Sequence, residues 1–144
     1  MLSQIKLSTL VAVLAVPLWC AAAPDKVVYE LKERCGRQVA AHFKREFGEG
    51  FGVPAKDSNI SFRNHYNSRL NACMYLQVEE GVETGPSGER FGYVHQVLFD
   101  FNENRMIGSV YKRNHEPTAY RCRLNEKLCT TAQWEAQLKV YMED

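Results

Sequence analysis

The chain has 144 residues, with 18 lysines and arginines against 17 aspartates and glutamates, so its net charge is +1. A nearly neutral chain without a basic stripe interleaved with aromatic residues lacks the electrostatic footprint of nucleic-acid binding, and we expect no nucleic acid among its partners. The length suits one domain with a real hydrophobic core.

The first residues have the three parts of a secretory signal peptide. Lys6 supplies the positive charge, residues 7–18 form an apolar run and residues 20–23 are small. The run is shorter than the roughly 20 residues that cross a bilayer. Cleavage between Ala22 and Ala23 keeps Pro24 away from the cut. We therefore predict a signal peptide at residues 1–22, one domain at residues 23–144, and no membrane span.

Cys20 allows a second interpretation, as the lipidated first residue of a bacterial lipoprotein. That kind of signal needs a small residue directly before the cysteine, and Trp19 is large. We therefore favour a periplasmic or secreted protein over a lipid-anchored one.

Residues 25–47 have the apolar spacing of an amphipathic helix. The members of this stripe recur every three or four residues and are Val28, Leu31, Cys35, Val39, Phe43 and Phe47. Asp25 can cap the start of the helix and Gly48 can end it. Because Cys35 lies on the stripe, we expect it to tie the helix to the layer beneath.

Extended segments follow an irregular, glycine-rich connection at residues 48–59. Residues 60–66 hint at a short edge strand, and residues 70–78 alternate firmly between two faces. Residues 79–89, EEGVETGPSGE, predict a long exposed hairpin loop. Residues 90–101 are apolar on both faces, which is typical of a central strand.

The segment FDFNENRMIG, residues 99–108, spaces Asp100, Asn102 and Asn104 as a helix-flanked calcium loop begins. Such a loop needs a glycine at its sixth position and an acid at its twelfth, where this chain has Arg105 and Tyr111. Asparagine and aspartate also suit tight turns. The segment therefore predicts a hairpin turn at residues 102–105 and a returning strand at residues 106–113.

The last part of the chain predicts a loop around Pro117, a turn within residues 122–129 and a C-terminal helix. Thr130 and Gln133 have the spacing of a capping box, and Trp134 begins an apolar stripe that we expect to anchor the helix on the sheet. The predicted fold class is α+β: an N-terminal helix, an antiparallel meander of three to four strands and a C-terminal helix.

Four cysteines remain after the signal peptide: Cys35, Cys73, Cys122 and Cys129. An even number in an exported chain predicts two disulfides. Three pairings are possible, and we favour Cys35 with Cys73 and Cys122 with Cys129, because the polar segment CRLNEKLC can turn back on itself. A zinc site or a catalytic thiol is the alternative, but no pair has the two-residue spacing of a zinc knuckle.

Candidate catalytic residues are few. We interpret His42 and His95 as packing residues and His65 and His115 as loop residues. Ser87 lacks the second glycine of a nucleophile elbow, because Glu89 stands two residues after it. We therefore expect no catalytic residue, no metal and no cofactor.

A polar cluster precedes the first firm strand, and its members form our candidate partner-binding site: Arg63, His65, Tyr66, Asn67 and Arg69. Arginine and tyrosine are over-used in protein interfaces. The alternative is a solvated edge with turn residues. Tyr93, Phe99 and Tyr111 would add an aromatic surface if one face of the sheet stays partly open.

Several stretches together resemble small exported bacterial proteins of uncharacterised function: the cysteine-bearing first helix, HYNSRLNAC, LFDFNENRMIG and CRLNEKLCTTAQWEAQLKVYMED. This resemblance implies a periplasmic address and brings no activity with it. By elimination, the leading hypothesis is a small binding or interaction protein, such as an inhibitor-like or immunity-like partner of another envelope or secreted protein. The alternatives are an envelope structural or assembly factor, a periplasmic enzyme and a small-ligand carrier.

Overall fold

The structure is a computed structural model that describes residues 25–48, 58–114, 116 and 121–143. The predicted signal peptide, Cys20 and His115 lie outside these ranges, as does most of the connection after the first helix. The elements, in chain order, are α1 (Asp25–Phe47), β1 (Ser58–Asn67), β2 (Ala72–Thr84), β3 (Arg90–Asp100), β4 (Arg105–Arg113), β5 (Arg121–Leu124), β6 (Lys127–Leu128) and α2 (Thr131–Met142).

All six strands of the described ranges form one antiparallel sheet in the order β1-β2-β3-β4-β5-β6. The predicted meander is confirmed, but the predicted number of three to four strands is wrong. The additional strands β5 and β6 are four and two residues long, too short to show an alternating pattern. Asn125 and Glu126 join them with positive φ angles of 46° and 67°, as a tight two-residue hairpin requires.

The hairpin between β2 and β3 is also longer than the sequence predicts. Strand β2 continues to Thr84 and β3 begins at Arg90, so only residues 85–89 remain of the predicted loop 79–89. The acidic residues Glu79 and Glu83 lie inside the sheet. Glu79 accepts a hydrogen bond from Tyr93 on the neighbouring β3, and Glu83 accepts one from Tyr111 on β4, two strands away. Those cross-strand partners explain how an acidic segment holds a strand conformation.

The two helices pack on opposite faces of the sheet. On one face, Met74 and Leu76 of β2 lie in a core with Trp134 of α2. On the other face, Tyr75 of β2 lies in a core with Phe43 of α1. Alternate residues of a strand point to opposite faces, so β2 serves both cores. Neither described helix is long and apolar enough to cross a membrane.

Helix α2 is fixed through its N-terminal cap and its first turn. The Thr130 side chain accepts from the Gln133 backbone, and the Gln133 side chain accepts from the Thr130 backbone, which is the predicted capping box. Trp134 is 1% exposed and donates its indole hydrogen to Gln96 Oε1 of β3 at 2.8 Å. The predicted role of Trp134 as an anchor is confirmed.

Both predicted disulfides are present. Cys35 of α1 is bonded to Cys73 of β2, and Cys122 is bonded to Cys129. The first bond joins α1 to the central part of the fold. The second closes the β5–β6 hairpin at the edge of the sheet, so it stabilises two strands that have few other contacts. Two disulfides are compatible with an oxidising compartment.

The segment around Asp100 is a turn. The Asp100 carboxylate is buried and accepts hydrogen bonds from the backbone amides of Asn102 at 3.1 Å and Glu103 at 3.3 Å. The turn occupies residues 101–104, one residue earlier than predicted, and Asn104 has a φ of 48°. The Asp100 side chain therefore holds the turn through these backbone amides, and Asn104 supplies the residue with a positive φ angle.

Candidate binding cleft

An open cleft lies on the α1 side of the sheet, on the strands that α1 leaves uncovered. We call it the sheet cleft; its volume is about 840 Å³, and its lining side chains include Glu83, His95, Tyr111, Arg113, Arg121, Arg123 and Leu128. Strand register explains the grouping. His95 pairs with Tyr111, and Tyr111 pairs with Arg121, so these side chains share one face.

Two stacked tyrosines lie beside the floor of the sheet cleft. The rings of Tyr93 and Tyr111 are 5.4 Å apart and 16° from parallel. The Tyr93 hydroxyl donates to Glu79 Oε1 at 2.7 Å. Gly81 lies opposite Tyr93, and a Cβ there would come within 2.9 Å of its ring. Glycine at this position therefore lets the Tyr93 ring lie across β2.

Glu83 links the second tyrosine to an arginine. Its Oε1 atom accepts from the Tyr111 hydroxyl and, at 3.2 Å, from Arg113 Nε. The Arg113 guanidinium also lies 4.1 Å from the centre of the Phe91 ring, which is a cation–π contact. Burial, reinforced by Glu83, raises the pKa of Tyr111. The hydroxyl therefore stays protonated near neutral pH and keeps its hydrogen bond to Glu83.

His95 is the half-buried imidazole of the sheet cleft. Burial lowers its pKa below the ordinary value, and the nearby charge of Glu79 opposes that shift only in part. The imidazole is therefore neutral at neutral pH. Its ring centre lies 6.0 Å from that of Tyr111, so His95 contributes a polar, uncharged surface to the cleft.

The charged wall of the sheet cleft comes from the β5–β6 hairpin. Arg121 and Arg123 are two residues apart on β5, so both point into the cleft, and both are exposed. Leu128 pairs with Arg123 across the hairpin and is 85% exposed. The wall therefore combines two positive charges with one apolar side chain.

The predicted partner-binding residues do not form one surface. Tyr66 is buried on the α1 face, where its hydroxyl donates to Asn71 Oδ1 at 2.6 Å. Asn67 is buried beneath α2, and Arg69 donates to the Glu143 carbonyl at 3.1 Å.

His65 of this cluster lies within β1, so the interpretation of His65 as a loop residue is wrong. It is half-buried on the α2 face, where it pairs with Met74, and Arg63 on the same face is exposed. Of the five predicted residues, Tyr66 and Asn67 are buried and serve the fold. A role in partner binding for Arg63, His65 and Arg69 stays a prediction.

The predicted aromatic surface is divided between two environments. Tyr93 and Tyr111 lie at the sheet cleft, whereas Phe99 stacks on Tyr75 at 5.7 Å within the α1 core. Sequence reasoning did not identify Arg121 and Arg123. Their spacing of two residues was the available signal, but it identifies a shared face only once the segment is known to be a strand.

No protein-family model matches this sequence, and neither a curated protein nor a solved structure matches it. Within the residues that the structure describes, no three histidine, cysteine, aspartate or glutamate side chains are grouped closely enough to hold a metal ion. The sheet cleft is therefore the feature of this fold that bears on function.

Proposed function

We propose that this protein is an exported binding protein that holds a segment of another envelope or secreted protein in the sheet cleft. The observation that carries this proposal is the hydrogen-bonded Glu83–Tyr111–Arg113 group at an open cleft. Tyrosine and arginine are among the residues enriched in binding hot spots, and side chains that are already hydrogen-bonded in place lose less conformational entropy when a partner binds. Export is proposed from the signal-like first residues and is compatible with the two disulfides.

The chemistry of the cleft favours binding over catalysis. The two tyrosine hydroxyls donate to carboxylates, and burial together with those carboxylates raises the pKa of Tyr93 and of Tyr111. Neither hydroxyl is thereby activated as a nucleophile or base near neutral pH. What the cleft presents to a ligand is ring faces, guanidinium groups and a neutral imidazole.

Site-specific photocrosslinking in the native compartment tests the proposal. A benzophenone amino acid is placed at Leu128, in the cleft, and in a control at Val140, which is 49% exposed on α2 at the opposite face. We expect one adduct from position 128 that is absent from position 140. The identified protein should then bind the purified wild-type chain and bind Tyr111→Ala at least about tenfold more weakly.

Identical adducts from both positions, or a purified partner that binds Tyr111→Ala as well as wild type, would contradict binding at the sheet cleft. Circular dichroism of the Tyr111→Ala protein checks that the fold is retained.

A small-ligand carrier is the second candidate, because about 840 Å³ lies within the range of small-molecule sites, roughly 300–1,000 Å³. A carrier retains its ligand through purification. Mass spectrometry of the native and denatured protein should then show a bound molecule that denaturation releases, whereas a protein-binding cleft should be recovered without one.

A further inference from the structure

We infer that the sheet cleft binds an extended acidic segment whose carboxylates, two residues apart, contact Arg121 and Arg123. This inference rests on the proposed function and names the class of partner. The three lining arginines and the one lining glutamate give the cleft a local positive charge, although the whole chain is nearly neutral. Complementary charge steers a partner to such a surface and sets its orientation.

The three arginines have different tasks. Arg113 is only partly exposed: it forms ion pairs with Glu83 at 3.2 Å and Glu116 at 3.8 Å, and it lies against the Phe91 ring. Its guanidinium belongs to the floor of the cleft. Arg121 and Arg123 are exposed on the wall, so they are the arginines that an incoming ligand reaches first.

The spacing of the wall arginines selects the conformation of the ligand. Residues i and i+2 of a strand lie on the same face, about 6.6 to 6.8 Å apart along the strand, so Arg121 and Arg123 present their side chains at that interval. An extended segment presents side chains i and i+2 at the same interval. Two glutamates in the order Glu-x-Glu therefore match the wall, whereas adjacent glutamates point to opposite sides. Arginine also suits carboxylate geometry because its guanidinium can donate two parallel hydrogen bonds.

The cleft itself contains an example of this recognition. The Glu83 carboxylate accepts from a tyrosine hydroxyl and an arginine at once. Leu128, exposed beside Arg123, offers apolar contact to the segment next to its carboxylates. A polypeptide has apolar side chains that can contact the aromatic rings and Leu128. A bare phosphate group has none and would leave these contacts unused.

Peptide binding measured by NMR tests the inference. The probes are two peptides of the same composition, each acetylated at the N-terminus and amidated at the C-terminus. Thr-Glu-Thr-Glu-Thr has the required spacing of glutamates, and Thr-Glu-Glu-Thr-Thr does not. We expect the first to shift the amide signals of β5 and to bind about threefold or more tightly than the second, and added salt to weaken it. Equal binding of the isomers, or binding of neither, overturns the inference.

Matched variants assign the contact. Arg121→Gln with Arg123→Gln should weaken the first peptide about tenfold, given the energy of two exposed charge pairs. Lys127→Gln with Lys139→Gln removes the same charge from exposed positions outside the cleft and should leave binding within about twofold. Equal losses in both double variants would show general charge attraction and would overturn the inference.

Two further arms separate this inference from the proposed function and from another ligand. If a crosslinked partner requires Tyr111 but binds the Arg121→Gln, Arg123→Gln protein normally, the proposed function stands and the acidic-segment inference fails. Vesicles of phosphatidylglycerol are the probe for a lipid surface. Vesicle binding that depends on Arg121 and Arg123, without peptide binding, would also overturn the inference.

Discussion

The side-chain amide of Asn67, at the end of β1, donates a hydrogen bond to the Val140 carbonyl in the last turn of α2 at 2.9 Å, across 73 positions of sequence. The Asn67 Oδ1 atom accepts from the Leu70 backbone amide at 3.0 Å. The last carbonyls of a helix have no partners within the helix. Asn67 therefore satisfies the end of α2 and the turn after β1 together.

We expect Asn67→Ala to lower the free energy of unfolding by about 1–3 kcal/mol, because buried polar groups lose their partners. Asn67 is completely buried, so water does not replace the lost bonds without rearrangement. Urea denaturation followed by circular dichroism measures the change. Asn59→Ala, at an exposed position of the same strand, should change stability by less than about 0.5 kcal/mol; equal losses would contradict the capping role.

Two glycine-to-alanine substitutions should have opposite signs. A Cβ at Gly108 would lie 2.5 Å from the Arg123 carbonyl oxygen and 3.2 Å from Trp134 Cζ3, so Gly108→Ala should destabilise by about 1–3 kcal/mol. A Cβ at Gly36 of α1 would meet only Asn64 Nδ2, at 3.6 Å. Gly36→Ala should stabilise by about 0.5–1 kcal/mol, since alanine favours helix interiors. Thermal melts of both variants check the signs.

Removal of each disulfide should have a different cost. In the loop-entropy account, Cys35→Ala with Cys73→Ala loses about 4 kcal/mol, and Cys122→Ala with Cys129→Ala loses about 2.5 kcal/mol. Urea denaturation measures both. Loss of peptide binding should follow the opposite order: it should be larger in the Cys122→Ala, Cys129→Ala protein, because the Cys122–Cys129 bond holds the hairpin that carries Arg121 and Arg123. A larger binding defect in the Cys35→Ala, Cys73→Ala protein would contradict that role.

His95 should make stability depend on pH. Its pKa is lowered in the fold, first by burial, against an ordinary value of 6.5. The unfolded chain therefore binds the proton more readily, and the stability contributed by His95 is present above pH 6.5 and is lost as the pH falls through the folded pKa. We expect His95→Gln to lose less stability than wild type between about pH 7.5 and about pH 5. Parallel pH curves for the two proteins would contradict this assignment.

Most of the helical framework was predictable from sequence because its signals are local. The helix α1 was predicted from the spacing of one apolar stripe, and the predicted residues 25–47 are those of the observed helix. The capping box at Thr130 and the burial of Trp134 follow from residues within one or two turns. The disulfide pairing followed from a short segment that can close on itself and from elimination.

The errors arose where a residue's role depends on a distant neighbour. Glu79 and Glu83 looked like loop residues until tyrosines of β3 and β4 were found to donate to them. Tyr66 and Asn67 looked like one exposed cluster, although alternation in β1 directs them to opposite faces of the sheet.

The sequence by itself determined the two helices, the antiparallel meander and the two sulfur bridges, because periodicity, capping and cysteine number are properties of short stretches. The tertiary structure alone decided that α1 leaves part of its face of the sheet open and that Glu83, Tyr111 and Arg123, from three different strands, meet there. Strand register sets that meeting, and register is fixed by the packing of the whole sheet between its two helices.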